Sequence, residues 1–273
     1  MLALLAFLAA PPVSAQNTFA TGVGRDDTNA AGRTAADKAS APIPRFADGT
    51  PNLSWTDPAR KGVWYATVQH WRWERFFVDK ELKEIPFQPW AKALYEYRVR
   101  TEHRDDPQGY CLPSAGTRAS SLGSGWEFVQ LPDQKRILRV HEAVGHMWQP
   151  IYMDGRSHPE SAYDFPTWFG HSIGHWEGDT LVIDTVGFNE GHWASRWGAI
   201  RTNYHHIIEK YTRTDYYTLH YEATIDDPGA YTQPFTFAWD FVWNEGEELA
   251  EFVCNENNRA PQSLSGIEIN GLK

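Results

Sequence analysis

The chain has 273 residues, 41% apolar and 22% charged, with 25 Lys and Arg against 35 Asp and Glu for a net charge of −10. That excludes a disordered chain and a membrane-embedded one, and an acidic balance without a run of Lys or Arg argues against nucleic acid or anionic lipid as a partner. The 13 Trp, 12 Tyr and 14 Phe suit β structure and pockets for flat or ring-shaped ligands.

Residues 2–10 read LALLAFLAA, followed by Pro11, Pro12 and Val13-Ser14-Ala15. A short apolar core, a breaker and small residues make a signal peptide over 1–15, although the usual basic start is missing. The run is too short to span a bilayer. The expectation is a mature chain from Gln16 that is periplasmic or secreted and does not insert into a membrane. Residues 16–60 are rich in Ala, Gly, Thr, Asp and Pro and read as a loose arm. A single β-rich domain is expected over 61–260 and a tail over 261–273.

One helix is predicted over 89–103. Pro89 suits its first turn, and Trp90, Ala93, Leu94 and Tyr97 form an apolar stripe through which it would dock. From 126 the pattern changes to period two. Strands are predicted at 126–130, 136–143, 147–153, 168–176, 179–188, 206–213, 217–225, 234–243 and 248–254, with Gly, Asp and Asn at the tips of successive hairpins. Along 234–243, Phe235, Phe237, Trp239, Phe241 and Trp243 point one way, and Thr236, Ala238, Asp240 and Val242 the other. Such alternation predicts an antiparallel up-and-down barrel of lipocalin-like type, or a two-sheet sandwich, with one main helix. Alternating helices are absent, so a doubly wound α/β fold is excluded.

Cys111 and Cys254 are the two cysteines. In an oxidising compartment an even count invites a disulfide; two buried thiols are the alternative.

The segment 151–159, IYMDGRSHP, ends a strand in a turn and brings Tyr152, Asp154, Arg156 and His158 within a few residues. A phenol, a carboxylate, a guanidinium and an imidazole form an acid/base and anion-binding set at a barrel mouth, or else a structural turn in which Asp154 caps amides and pairs with Arg156. In GHSIGHW, 170–176, His171 and His175 share a face. His171 suits proton transfer. A metal site is the weaker reading: His141, His171 and His175 are its candidates, with His146, His205 or His206 as further ligands, but no metal spacing is strong. Asp184 sits in an apolar run, and a rough hairpin register brings it opposite His171, where it would orient the imidazole. The alternative is two unrelated polar residues. Catalysis is thus assigned to His171, Tyr152, Asp154, Arg156 and Asp184, and substrate contact to Glu142, His158, Trp168, Asn189, Trp193 and Trp239. The Asn and Glu residues around Cys254 read as side chains that knit the last loop to the barrel. No P-loop, GxGxxG, GxSxG or EF-hand pattern occurs, so no cofactor is expected.

Together these segments resemble a widespread family of uncharacterised exported bacterial proteins. The marks are PIPR with ADG at 42–49, Pro89-Trp90, Cys111–Pro113, Ile151–Pro159, Gly170–Asn189, Thr224–Thr232 and Cys254–Asn257. The chain departs from the pattern at LSWTDPARKGVW, 53–64, where the family runs from LS directly into GVW. The resemblance implies export and carries no activity with it.

Two functions fit the residues. One is an exported cofactor-free acid/base enzyme, a lyase or isomerase with hydrolysis as a variant, acting on a hydroxylated aromatic or sugar-like compound in a barrel pocket. The other is a non-catalytic periplasmic carrier of a small ligand. Converging His, Tyr and acids favour the enzyme, and a uniformly apolar lining favours the carrier.

Overall fold

A computed structural model describes residues 41–55, 58–67, 72–142, 147–256 and 258. The expected signal peptide, most of the N-terminal arm, His146 and the C-terminal tail lie outside them.

Nine strands close a single barrel in sequence order: β1 (Gly62–Ala66), β2 (Trp126–Leu131), β3 (Arg136–His141), β4 (Trp148–Tyr152), β5 (His171–Glu177), β6 (Thr180–Val186), β7 (His206–Arg213), β8 (Thr218–Asp226) and β9 (Phe235–Glu245). Of the two architectures expected, the barrel is the one adopted. It is not wholly antiparallel. β4 and β5 run parallel, pairing only at Ile151–Ser172 and Tyr152–Ile173. The connection between them is long, as a parallel crossover requires. Parity gives the reason for this pair. Nine strands alternating strictly in direction would bring β1 and β9 together parallel, and one parallel step restores the antiparallel closure that is observed from Gly62–Glu245 to Ala66–Phe241.

Closure also explains why 248–254 is not the strand its alternation suggested. β9 already pairs with β8 and β1, so the sheet has no free edge to accept another strand. The segment is instead tied down by side chains. The Ala250 amide donates to Glu142, Tyr65 Oη donates to Glu247, and Cys254 is disulfide-bonded to Cys111. Asn258 adds hydrogen bonds to the Gly109 carbonyl and to Cys111 Sγ, consistent with knitting at this end.

The lumen holds the core. Phe235, Phe237, Trp239, Phe241 and Trp243 all point inward and are buried, as are Leu219, Tyr221, Ala223 and Ile225 of β8. Trp239 stacks on Phe237 with centroids 5.2 Å apart and meets Tyr221 at a tilt at 4.8 Å, and Trp64 meets Trp243 at 4.9 Å. Fully burying each such side chain contributes about 1.5–3 kcal/mol. The centre is not purely apolar. Arg139 and Glu209 form a buried ion pair at 3.0 Å. Tyr211 and Tyr221 donate their hydroxyls to Glu209 at 3.0 and 2.8 Å. Ser120, on the short buried helix α2 (Thr117–Ser120), donates to the same carboxylate at 3.2 Å. Burial acts to lower the Arg139 pKa, but the Glu209 charge outweighs it and raises it.

The main helix, α1 (Pro89–Arg100), begins at Pro89 as expected and stops short of 103. Its docking face differs from the predicted stripe. Trp90 and Tyr97 are exposed, and the buried residues are Ala91 and Tyr95. Tyr95 meets Phe87 at 4.9 Å, and Phe87 stacks on Tyr231 at 5.4 Å. The segment expected to be loose also packs toward its end. Leu53 is fully buried, and its carbonyl accepts from Trp64 Nε1 at 2.8 Å.

Candidate functional site

The histidine cluster sits on the outer wall of the barrel, not in its mouth. Along β5, His171, Ile173 and His175 face out while Ser172 and Gly174 are buried. In β6, Asp184 alternates with the buried Ile183 and Thr185. In β7, His206 alternates with the buried Ile207 and Glu209. The β4–β5 connection then lays His158 across this wall.

Four side chains form a continuous hydrogen-bonded row. His171 Nδ1 lies 2.8 Å from His158 Nδ1. His158 Nε2 lies 3.1 Å from Asp184 Oδ1, and His206 Nε2 2.8 Å from the same oxygen. A carboxylate only accepts, so both Nε2 atoms carry the protons in those bonds. Neutral His158 then has a bare Nδ1, which accepts from Nδ1–H of His171. Neutral His171 is left with a bare Nε2. The row therefore fixes the His171 tautomer and makes its remaining nitrogen a base.

Electrostatics push the two terminal imidazoles apart. Burial lowers the pKa of His171 below its ordinary value, with the His158 and Arg156 charges adding to the effect. The hydrogen bond to Asp184 raises that of His206 against the cost of burial, helped by the charges of Asp184 and Asp226. For Asp184 itself, burial acts upward but the hydrogen bonds of His206 and His158 prevail and hold it low. The two imidazoles at the ends of the row are thus driven in opposite directions.

The expected pairing of His171 with Asp184 is corrected by the register. The turn leaves Glu177 opposite Thr180, which puts Ile173, not His171, opposite Asp184. His158 bridges the gap. Tyr152 stacks on His171 at 5.4 Å, and Arg156 lies 4.0 Å over Tyr152. Asp154 accepts from Arg156 through both oxygens, at 2.8 Å to Nε and 2.5 Å to Nη2. That bond takes the Asp154 carboxyl down to about 2. Asp154 and Arg156 thus form the pair that a structural turn requires, with the Arg156 charge still acting on His171.

A cleft of about 310 Å³ opens beside the row, lined by His158, Asp184 and His206 together with Tyr163, Tyr204 and Asp226. Tyr163 and Tyr204 stand exposed at its rim. Sequence alone marks His206 only as a candidate metal ligand. The signal that could have found it is phase: in HIIEKYTR it shares a face with Ile208 and Lys210, outside the barrel.

The remaining sequence candidates fall elsewhere. Trp239 is core within the lumen. Glu142 accepts from the amides of Gly125, at 2.8 Å, and Ala250. Trp193 is buried with Arg98 4.5 Å over its ring. Asn189 accepts from the Gly191 amide and, through its carbonyl, from Arg201. Trp168 packs edge-on to His192 at 6.2 Å. The metal candidates are split by the barrel wall, because His141 points inward and His171 and His175 outward. His175 faces Glu177 at 3.2 Å. Among the described residues no group of three or more His, Cys, Asp or Glu is arranged to hold a metal ion.

A buried Ser–His contact also exists, Ser114 Oγ to His192 Nε2 at 3.3 Å. Both residues are buried, and burial takes the His192 pKa down to about 3. The pair resembles a nucleophile and its base but offers a substrate no access.

The fold defines a closed nine-stranded β-barrel protein with a histidine–carboxylate row on its outer wall. No family model, curated protein or solved structure matches the chain.

Proposed function

We propose that the chain is an exported, cofactor-free acid/base enzyme, a lyase or isomerase that moves a proton on a hydroxylated ring compound held against the outer wall, reaching from the cleft at His206 along the row to His171 beside it. The observation that carries this reading is the row His171–His158–Asp184–His206, which supplies a bare imidazole nitrogen at one end and a proton-retaining imidazole at the other. His171 Nε2 takes the substrate proton. His206, held protonated by Asp184, returns one from Nδ1. Tyr163 and Tyr204 supply ring faces at the rim. The inaccessible Ser114–His192 pair argues against the hydrolytic variant built on a serine. Export is supported by the Cys111–Cys254 disulfide. No described helix is long and apolar enough to cross a membrane.

The test is solvent deuterium incorporation into hydroxylated ketones and sugar-like carbonyl compounds, followed by proton NMR. His171→Gln should lower exchange by about 10²–10⁴-fold, the usual worth of a positioned general base. Exchange should peak near neutral pH and fall on both sides, since His171 must be unprotonated and His206 protonated. Exchange that survives His171→Gln refutes the assignment.

The carrier reading keeps one specific support, in the lumen. His141 Nδ1 and Nε2, Glu209 Oε2, Trp126 Nε1 and Trp239 Nε1 are buried without a partner among the described residues. A ligand admitted by rearrangement of the aromatic core would satisfy them. Ligand binding that is lost in Glu209→Gln but unaffected by His171→Gln would favour it.

A further inference from the structure

We infer that the outer-wall site selects a ring that carries an ammonium group as well as hydroxyls, an inference that rests on the reading of that site as the place of proton transfer. Asp226, exposed and unpaired, stands there beside two bare tyrosine rings, in a cleft that neither Lys nor Arg lines among the described residues.

The two carboxylates of the cleft are not equivalent. Asp184 is taken up by the row, accepting from His206 at 2.8 Å and from His158 at 3.1 Å. Asp226 ends β8 directly across from His206, so the two side chains share the outer face. It makes no hydrogen bond or ion pair among the described residues. With Asp184 balanced by a protonated His206, and His158 neutral, the negative charge left over is that of Asp226. An anionic ring is repelled there and a neutral ring gains no charge pairing, whereas an ammonium gains both a counter-ion and a strong acceptor.

The aromatic groups favour the same ligand. Tyr163 and Tyr204 are 58% and 66% exposed at the rim. Each presents a ring face, and the quadrupole of such a face attracts a cation. Their placement is fixed by the fold. Asp227, next to Asp226, is buried and accepts from the Thr202 amide at 2.8 Å and from His205 Nδ1 at 3.0 Å. Those bonds tie the turn that carries Tyr204 to the strand end that carries Asp226. Tyr163 sits on the short helix α3 (Ser161–Asp164), which lies against the barrel where Gly187 meets Ala162. A cationic ring thus meets a carboxylate and ring faces already in position, which lowers the ordering cost of binding.

The experiment titrates the full protein at low ionic strength with two series, by calorimetry and saturation-transfer NMR. One is tyramine, tyrosol and 4-hydroxyphenylacetate; the other is D-glucosamine, D-glucose and D-glucuronate. In at least one series the amine should bind about fivefold or more tighter than the neutral compound, as an exposed ion pair and a cation–π contact together supply, and the acid should bind weakest. The series that shows this preference tells an aromatic ring from a sugar. Asp226→Asn alters a side chain that bonds nothing in the fold, and it should cut the preference to about twofold or less. Salt at about 0.5 M should narrow it too. Should Asp226→Asn fail to fold, Tyr204→Leu, which removes an exposed ring, decides by the same loss of preference. No saturable binding in either series, an amine bound no tighter than its neutral counterpart, or a preference that survives the variant overturns the inference. Amine preference without His171-dependent proton exchange would keep the ligand class and strike the proton transfer. Exchange on neutral compounds with no amine preference would do the reverse.

Discussion

Protons in the outer-wall row are assigned by elimination from one carboxylate, and that assignment is directly measurable. At pH 8 His158 should be the Nε2–H tautomer and His171 the Nδ1–H tautomer, read from imidazole nitrogen shifts in long-range ¹H–¹⁵N NMR. An Nε2–H tautomer on His171 would contradict the row. The same groups set a stability profile. His206 has a raised pKa in the fold, so its contribution is complete below its ordinary value of 6.5 and fades as pH climbs through the raised one. Asp184 has a lowered pKa, so its contribution is present above its ordinary 3.8 and is lost as pH falls through the lowered one. Their pair is therefore worth most between about pH 4 and 6.5. Partial exposure and screening hold it to about 1 kcal/mol or less. His206→Gln should lower Tm slightly at pH 5.5 and hardly at pH 9. An equal drop at both would show that the residue acts through packing and not through charge.

At the scale of elements, the strands of the second half were readable because each has one dry face. Alternation in Thr218–Asp226 and Phe235–Glu245 gives the inward side directly, and Trp239→Ala should accordingly cost about 3–5 kcal/mol in chemical denaturation. A near-neutral result would mean that the lumen does not depend on that ring. The polar alternation of β3 and β7 was harder. In RILRVH and HIIEKYTR both faces carry charge, and only the pairing of Arg139 with Glu209 shows which side is inside. The row itself was half legible. His171, His158 and Asp184 stood out by composition, but their order depends on a two-residue register shift and on a long connection that has no periodicity. That connection is held by a close backbone approach. Gly187 has φ of 72°, and a Cβ there would stand 2.2 Å from the Ala162 carbonyl oxygen. Gly187→Ala should therefore destabilise by about 2 kcal/mol or more and separate His158 from Asp184. The readout is a joint loss of Tm and of the fixed His158 Nε2–H tautomer that the bond to Asp184 imposes; a change in Tm alone would uncouple the connection from the site.

Across the whole molecule, two long-range constraints tie distant parts of the chain together. Cys111 and Cys254 are 143 residues apart in sequence, and their bond clamps the C-terminal segment over a barrel that has no edge left for it. Disulfide formation over such a span restricts the unfolded chain by up to about 4–5 kcal/mol in the chain-entropy model. Cys254→Ser should lower stability by no more than that and leave the strands paired, while the denatured, unreduced wild-type protein should show no free thiol. Two titrating thiols would remove the clamp from the account.

The other constraint is the lumenal ion pair, which reaches from β3 across to β7. Removing one partner leaves an uncompensated charge among aromatic rings, so Arg139→Met alone should cost about 3–5 kcal/mol. Arg139→Met with Glu209→Leu removes both charges and should recover much of that loss, because burying either ion costs several kcal/mol before the pair repays it. Tyr211 and Tyr221 would lose their acceptor in the double variant, which limits the recovery to part. A double-mutant cycle by urea denaturation separates these terms. If the single and double variants lose the same stability, the node is held by its hydroxyl network and the ion pair is incidental. If the double variant regains stability, the charges at the centre of the barrel are a cost that packing alone could avoid.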